Sequence, residues 1–188
     1  MIRKPRLKEI GEIVNLHMEN LKDGLLYVLG KEVLKIFYSE MFKDRNSFIL
    51  AYYENGKIVG VAASTKDPEE LSSKIRKKHF FGFVWTIILK SLENPILPLQ
   101  ILTSRYYSKI KPELMFLFVD KRHRGLGIGR ELMRATAERF KNMKVKHYKI
   151  TIVSSNLGGK KFYESIGFKK AGEFQFVDEY RDVFVYDL

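Results

Sequence analysis

The chain has 188 residues, 45% of them apolar and 13% aromatic, enough for one buried core and inconsistent with a disordered segment. Cysteine is absent, which excludes disulfides and thiol catalysis and fits a reducing compartment. The formal charge of +12 invites a nucleic-acid reading, but where the charge lies matters more than its total.

The first residues, Met1 to Glu9, hold no apolar core of signal-peptide length. No run reaches the roughly 18 uninterrupted apolar residues of a membrane span, so a cytoplasmic location is expected. Ile2 to Lys4 reads as a short strand. Leu7, Ile10, Ile13 and Val14 recur at helical spacing within Arg6 to Asn20, and Val33, Leu34, Phe37, Tyr38 and Met41 do so within Lys31 to Asp44. Ser47 to Tyr53 and Lys57 to Ser64 are strand-like runs about Asn55-Gly56, a turn pair that tolerates positive φ.

Residues 66–112 interrupt this scheme. Asp67-Pro68-Glu69-Glu70 signals a helix start leading into Leu71–Lys78, and His79 to Glu93 is dense in aromatic and branched residues. Asn94-Pro95 breaks that run, and Ile96 to Ile110 forms another apolar-rich segment, so two or three helices are expected. Then follow a strand (Glu113–Asp120), a helix (Gly127–Lys141), a strand (Val145–Val153) and a helix (about Leu157–Ser165) capped by Asn156 and ended by Gly167. Phe168–Val177 and Tyr180–Asp187 close the chain as an antiparallel pair. The order predicts an α/β (α+β) fold in a single domain, 1–188, with a mixed sheet, helices on both faces and a helical insertion at about 66–112.

The densest information lies in Leu114 to Met133. An apolar strand ends at Asp120, a basic glycine-punctuated turn follows, and a helix opens near Gly129. Glycines let a ligand approach the backbone, while free amides and the helix dipole favour negative charge there. Between Lys121 and Lys146 nine Lys/Arg face only Glu131 and Glu138, so the basic excess concentrates on this loop and its helix. Without an aromatic-interleaved stacking surface or a helix-turn-helix pattern, a nucleic-acid partner has little support. A dinucleotide fingerprint would need a glycine where Arg130 stands, and no P-loop pattern is present. What is present is Arg124-x-x-Gly127-x-Gly129, followed downstream by Asn156-x6-Tyr163-Glu-x-x-Gly167-Phe168.

These two motifs resemble the Gcn5-related N-acetyltransferase (GNAT) superfamily, specifically over Glu113 to Phe168 and loosely over residues 1–65. The resemblance implies the acyl-CoA N-acyltransferase fold: a largely antiparallel sheet whose fourth and fifth strands run parallel and splay apart. It implies acetyl-CoA as cosubstrate, with pyrophosphate held by Arg124, Gly125, Gly127, Ile128, Gly129 and Arg130. Pantetheine is expected along Leu117, Phe118 and Val119 and near Asn156, with Lys160 within reach of the 3′-phosphate. Tyr163 matches the family's general acid. Glu113 opens the strand on which histone-acetylating members place their catalytic glutamate; it reads equally as an ordinary strand-end charge facing solvent after Pro112. The strand-five glutamate of some ribosomal-protein-acetylating members corresponds to Ile150, or to Thr151, and neither can take a proton.

A general base is needed because alkyl amines have pKa near ~10.4, leaving about one in a thousand uncharged at neutral pH. The histidines show no metal-ligand spacing, so no metal is expected. The expected activity is acetyl transfer to a primary amine by direct attack in a ternary complex; the alternative is a catalytically silent coenzyme A-binding sensor or scaffold. The acceptor, a small molecule or a protein amino group, is expected near Leu21–Gly30 and Phe174–Tyr180. The insertion's uses rank as core packing or a lid, then a homodimer interface, then peripheral contact with a membrane, since Lys74 to Trp85 resembles an interfacial anchor.

Overall fold

Frequent burial along β2 (Ser47–Glu54) and near-continuous burial along β3 (Lys57–Thr65) suit interior strands of a seven-stranded sheet, in which they stand second and third. The sheet has the order β1-β2-β3-β4-β5-β7-β6, with β1 at Ile2–Arg3, β4 at Glu113–Val119, β5 at His147–Val153, β6 at Lys169–Phe176 and β7 at Glu179–Asp187. Every neighbouring pair is antiparallel except β4 and β5. The computed structural model describes residues 1–22, 24–98, 110–176 and 179–188. Most of the expected segment Ile96 to Ile110 therefore lies outside the described residues.

Helices cover both faces. On one, α1 (Ile10–Asn20), α3 (Lys31–Lys43) and α4 (Pro68–Lys78) pack Ile13, Leu34, Phe37, Tyr38 and Leu71 against Ile49, Val61 and Phe118. On the other, α6 (Ile128–Asn142) and α7 (Leu157–Ser165) join Leu132, Phe140 and Phe162 to Phe48, Tyr148, Ile150 and Phe184. Gly60 on β3 permits the first of these contacts: a Cβ there would lie 3.0 Å from Ile128 and 3.1 Å from Leu132. The Asn55-Gly56 turn has φ of 49° and 77°, the left-handed pair that matches strand twist in a two-residue hairpin. Asp67 caps α4 by accepting from the Glu69 and Glu70 amides, with Pro68 in the first turn.

Two features differ from expectation. A short helix α2 (Leu25–Leu29), which was not read from the sequence, lies within the stretch Leu21–Gly30 expected near the acceptor, set off by glycines 24 and 30 at φ 87° and 91°. The aromatics of α5 (Phe80–Glu93) form core only in part. Phe83 and Ile87 pack on a small cluster of Leu29, Val33 and Leu97, whereas Phe80, Phe81, Trp85, Ile88, Leu89 and Leu92 face solvent. Apolar residues lie all round this helix, and among the described residues the packed side is the one that carries Phe83 and Ile87.

A buried imidazole marks the α1–α3 contact. His17 is 1% exposed, its Nδ1 lies 2.7 Å from the Tyr38 hydroxyl, and its ring meets Phe116 and Phe118 edge-on. Burial lowers its pKa from 6.5 to about 4. The folded state thus refuses a proton that the unfolded chain accepts, so His17's contribution is complete above pH 6.5 and is lost as pH falls through about 4. Ring NMR signals of His17 are expected to titrate near pH 4 and thermal stability to decline over that interval; titration at 6.5 would contradict this packing.

Candidate active site

The site begins where β4 and β5 meet and part. They pair at Glu113↔Lys149, the Lys149 amide donates to the Pro112 carbonyl, and no further residue pair joins them. β4 stays paired to β3 throughout, Leu117, Phe118 and Val119 opposing Ala62, Val61 and Gly60. Its other edge therefore carries backbone groups beyond Glu113 that β5 does not satisfy. Register also shifts on β4: Ala63 opposes Phe116 and Ser64 opposes Leu114, leaving Met115 as the bulged residue. Met115 and Phe116 consequently both pack on the α1–α3 side, while Leu114 and Leu117 pack on the α6–α7 side.

At the far end of the parting, Asp120 shapes the turn into the basic loop. Its carboxylate accepts from the Arg122 amide at 2.9 Å and the Arg122 guanidinium at 2.8 Å. Those bonds hold its pKa well below the usual carboxylate range. The Asp120 amide donates to the Val59 carbonyl, so the turn is anchored to β3. Gly125 and Gly127 both have φ of 81°, and a Cβ at either would meet open space within 4 Å. Gly127 caps α6, its carbonyl accepting from the Glu131 amide. Among the described residues, no protein acceptor takes a hydrogen bond from the amides of residues 124–130. Free amides, a helix N-terminus and exposed Lys121, Arg122, Arg124 and Arg130 together suit a polyanion.

The individual side chains of this loop are partly engaged. Arg124 donates to the Val119 carbonyl and to Asn20 Oδ1, both at 3.2 Å, and so ties the loop to β4 and α1. Arg130 reaches across to the Ser165 hydroxyl at 3.0 Å. Gly129 admits Phe162 of α7, whose ring would be 3.3 Å from a Cβ there. His123 turns away to Glu54, 2.9 Å from its Nε2. Asn156 caps α7 by accepting from the Gly159 amide at 2.9 Å. Lys160 pairs with the buried Asp182 at 2.6 Å and donates to the Ser154 carbonyl at 3.3 Å. That bond, with a second one from Lys170, lowers the Asp182 pKa to about 2. Asp120, Asp182 and Gly159 were not singled out from sequence; Asp182 depends on Lys160 and Lys170, remote along the chain, and Asp120 and Gly159 on contacts that their local sequence does not announce.

Glu113 and Tyr163 stand on opposite faces of the sheet. Glu113 accepts from the Thr151 hydroxyl at 3.3 Å and lies 3.6 Å from the Lys149 ammonium. Lys149 and Thr151 alternate with Tyr148, Ile150 and Ile152, which share the α6–α7 core with Tyr163. Burial raises the Glu113 pKa, against the opposing pull of Lys149 and Thr151. Burial also raises the Tyr163 pKa, so its phenol keeps its proton at neutral pH. The Tyr163 hydroxyl has no hydrogen-bond partner among the described residues, and its ring is fixed by Phe162 and Phe168. Among those residues no cluster of His, Asp and Glu could hold a metal ion. A cleft of about 600 Å³ lies instead between α1 and the β2–β3 turn, where the acids Glu12, Glu19, Glu54 and Asp120 outnumber the cations Lys57 and Arg122, a lining less suited to a polyphosphate.

Comparison with known proteins bears on this geometry. The family model described as the acetyltransferase (GNAT) family matches residues 13–168. No curated protein gives a sequence match. Among solved structures, the ribosomal-protein-S18-alanine N-acetyltransferase of Escherichia coli aligns at 13% identity and TM-score 0.63, covering 100% of this chain and 92% of that one. An N-acetyltransferase from Staphylococcus aureus Mu50 aligns at 17% identity and TM-score 0.65, covering 100% and 97%. The PaiA N-acetyltransferase from Thermoplasma acidophilum, solved in complex with coenzyme A, aligns at 13% identity and TM-score 0.65, covering 100% and 98%. At such identities these three establish the shared fold.

A paired substitution tests how tightly α7 is seated under the gap. A Cβ at Gly159 would collide with Ile152 and the Asn156 side chain, whereas at Gly158 it meets only Asn156 Oδ1 at 4.0 Å. Gly159→Ala is expected to cost about 1–3 kcal/mol in urea unfolding, and Gly158→Ala to be neutral or stabilising by up to about 1 kcal/mol. Equal effects at the two positions would contradict the close approach.

Proposed function

The chain belongs to the GNAT acetyltransferase family, and from that premise we propose that it transfers an acetyl group from acetyl-CoA to a primary amine by direct attack in a ternary complex. The observation that carries this reading is the parting of β4 from β5 beside a loop of unbonded amides. An extended pantetheine amide chain can bond to the open edge at Leu117–Val119 as an added strand would. The pyrophosphate then falls at residues 124–130, where Gly125 and Gly127 leave the backbone uncovered. Arg124 holds this loop through Val119 and Asn20, and Arg130 stands beside the helix start. Lys160 is committed to Asp182 and Arg122 to Asp120, so the exposed Lys121 is better placed for further phosphate charge.

The chemistry divides between the two faces. Glu113, with its carboxyl raised by burial, takes the proton from the acceptor ammonium, directly or through water. The free amine nitrogen bonds to the thioester carbonyl carbon, the carbon–sulfur bond breaks as the tetrahedral intermediate collapses, and the nitrogen's second proton passes through solvent to replace the one that Tyr163 gives up. The leaving thiolate receives the Tyr163 proton from the other face. Lys149 keeps Glu113 oriented and favours its ionised form. By family resemblance, residues 21–30 and 174–180 form the acceptor approach; of these, residues 23, 177 and 178 lie outside the described residues.

Thiol release from acetyl-CoA in the presence of an amine library tests the reading. Turnover above hydrolysis with an amine is expected; tight acetyl-CoA binding without turnover would leave a silent coenzyme A-binding module. Tyr163→Phe should lower kcat by at least about ten-fold with acetyl-CoA affinity unchanged. Glu113→Gln should lower kcat/KM by roughly a hundred-fold and remove the acidic limb of its pH profile. That limb should lie above the ordinary glutamate value of about 4.3. An unchanged profile in Glu113→Gln would assign the base elsewhere.

A further inference from the structure

Helix α5 is held on its inner side and, among the described residues, bare on its outer one. Phe83 and Ile87 fix it to Leu29 and Val33, so its outer face is presented by an anchored element. Along that face Phe80/Phe81, Trp85, Ile88/Leu89 and Leu92 recur at helical spacing, with Phe81 86%, Trp85 62% and Leu92 81% exposed. Such side chains present roughly 100 Å² apiece, and contiguous apolar patches beyond about 600 Å² are rare on soluble monomers. No acidic residue lies on this stripe before Glu93, which is itself paired with Lys90. Immediately before it, at the end of α4, stand Arg76, Lys77 and Lys78. Lys78 is tied to Glu40, whereas Arg76 and Lys77 are exposed and have no ion pair among the described residues.

We propose that this face of α5 docks on an anionic lipid surface, lying in the plane of the headgroups. Charge complementarity selects the occupant: an apolar aromatic stripe beside unpaired cations, on a chain of net charge +12, matches acidic headgroups above acyl chains. A second copy of the chain would bring two surfaces of that same charge together. At 14 residues, α5 is about 21 Å long and too short to cross a bilayer of about 30 Å. It therefore rests on the membrane, and Trp85 sits at the depth where indole rings favour the interface.

Trp85 is the chain's one tryptophan, so its fluorescence reports the contact directly. The full chain is mixed with vesicles of phosphatidylcholine alone or blended with phosphatidylglycerol, and sedimentation and emission are followed at low and high salt. Co-sedimentation with the blended vesicles, a blue shift of Trp85 emission and weakening by salt are expected. Arg76→Gln combined with Lys77→Gln should reduce partitioning roughly thirty-fold, and Leu92→Ser should reduce it without altering circular dichroism. No shift with either vesicle, adsorption without a shift, or equal binding to phosphatidylcholine alone would overturn the proposal. So would a doubled mass with Trp85 shielded in the absence of lipid, which would make the face a contact between copies.

Discussion

Two parallel strands that share one pair of residues set the terms for the rest of this structure. A β-strand cannot leave its neighbour without exposing a row of N–H and C=O groups, and such groups need partners. Here β4 and β5 are joined at Glu113 and Lys149 and then part. The bulge at Met115 bends β4 just past that junction, and the far end of β4 is pinned by Asp120 to Val59. Small residues on β3 let α6 approach from below, which brings the glycine loop to the mouth of the gap. The opening is thus built from backbone geometry, with side chains arranged around it.

That arrangement explains why the two ionisable candidates differ in surroundings. Glu113 lies among polar neighbours, Lys149 and Thr151, within a face that is otherwise buried. Tyr163 lies among aromatic rings with its hydroxyl unbonded. A carboxylate needs polar support to stay useful as a base in a buried position, whereas a phenol acting as an acid is better served by an apolar wall. Strand alternation on β5 produces both environments from consecutive residues, Tyr148 and Ile150 facing one way, Lys149 and Thr151 the other.

Much of this was legible in the sequence where physics is local. Asn55-Gly56, Asp67-Pro68 and Gly127 each need a specific backbone conformation, and each occurs where the pattern put it. Helix α7, Leu157–Ser165, has the bounds read from its Asn156 cap and terminal Gly167. The splayed parallel pair followed from resemblance, since nothing in the composition of either strand forbids further pairing. What could not be read depended on partners far along the chain. Asp182 is unremarkable until Lys160 and Lys170 are seen to converge on it, and the bulge at Met115 is visible only in register with β3. The apolar density of helix α5 left core packing, a lid, a dimer interface and membrane contact all open, because a sequence does not say which side of a helix finds a neighbour.

The central claim is that the acyl donor lies in the gap, bonded to the backbone of β4 and to the loop that follows it. Amide hydrogen exchange in the presence and absence of acetyl-CoA tests this at the residues concerned. The account predicts new protection at residues 117–119 and 124–130, with little change along β2 and β6. Protection confined to the acidic cleft between α1 and the β2–β3 turn, or none anywhere, would contradict it.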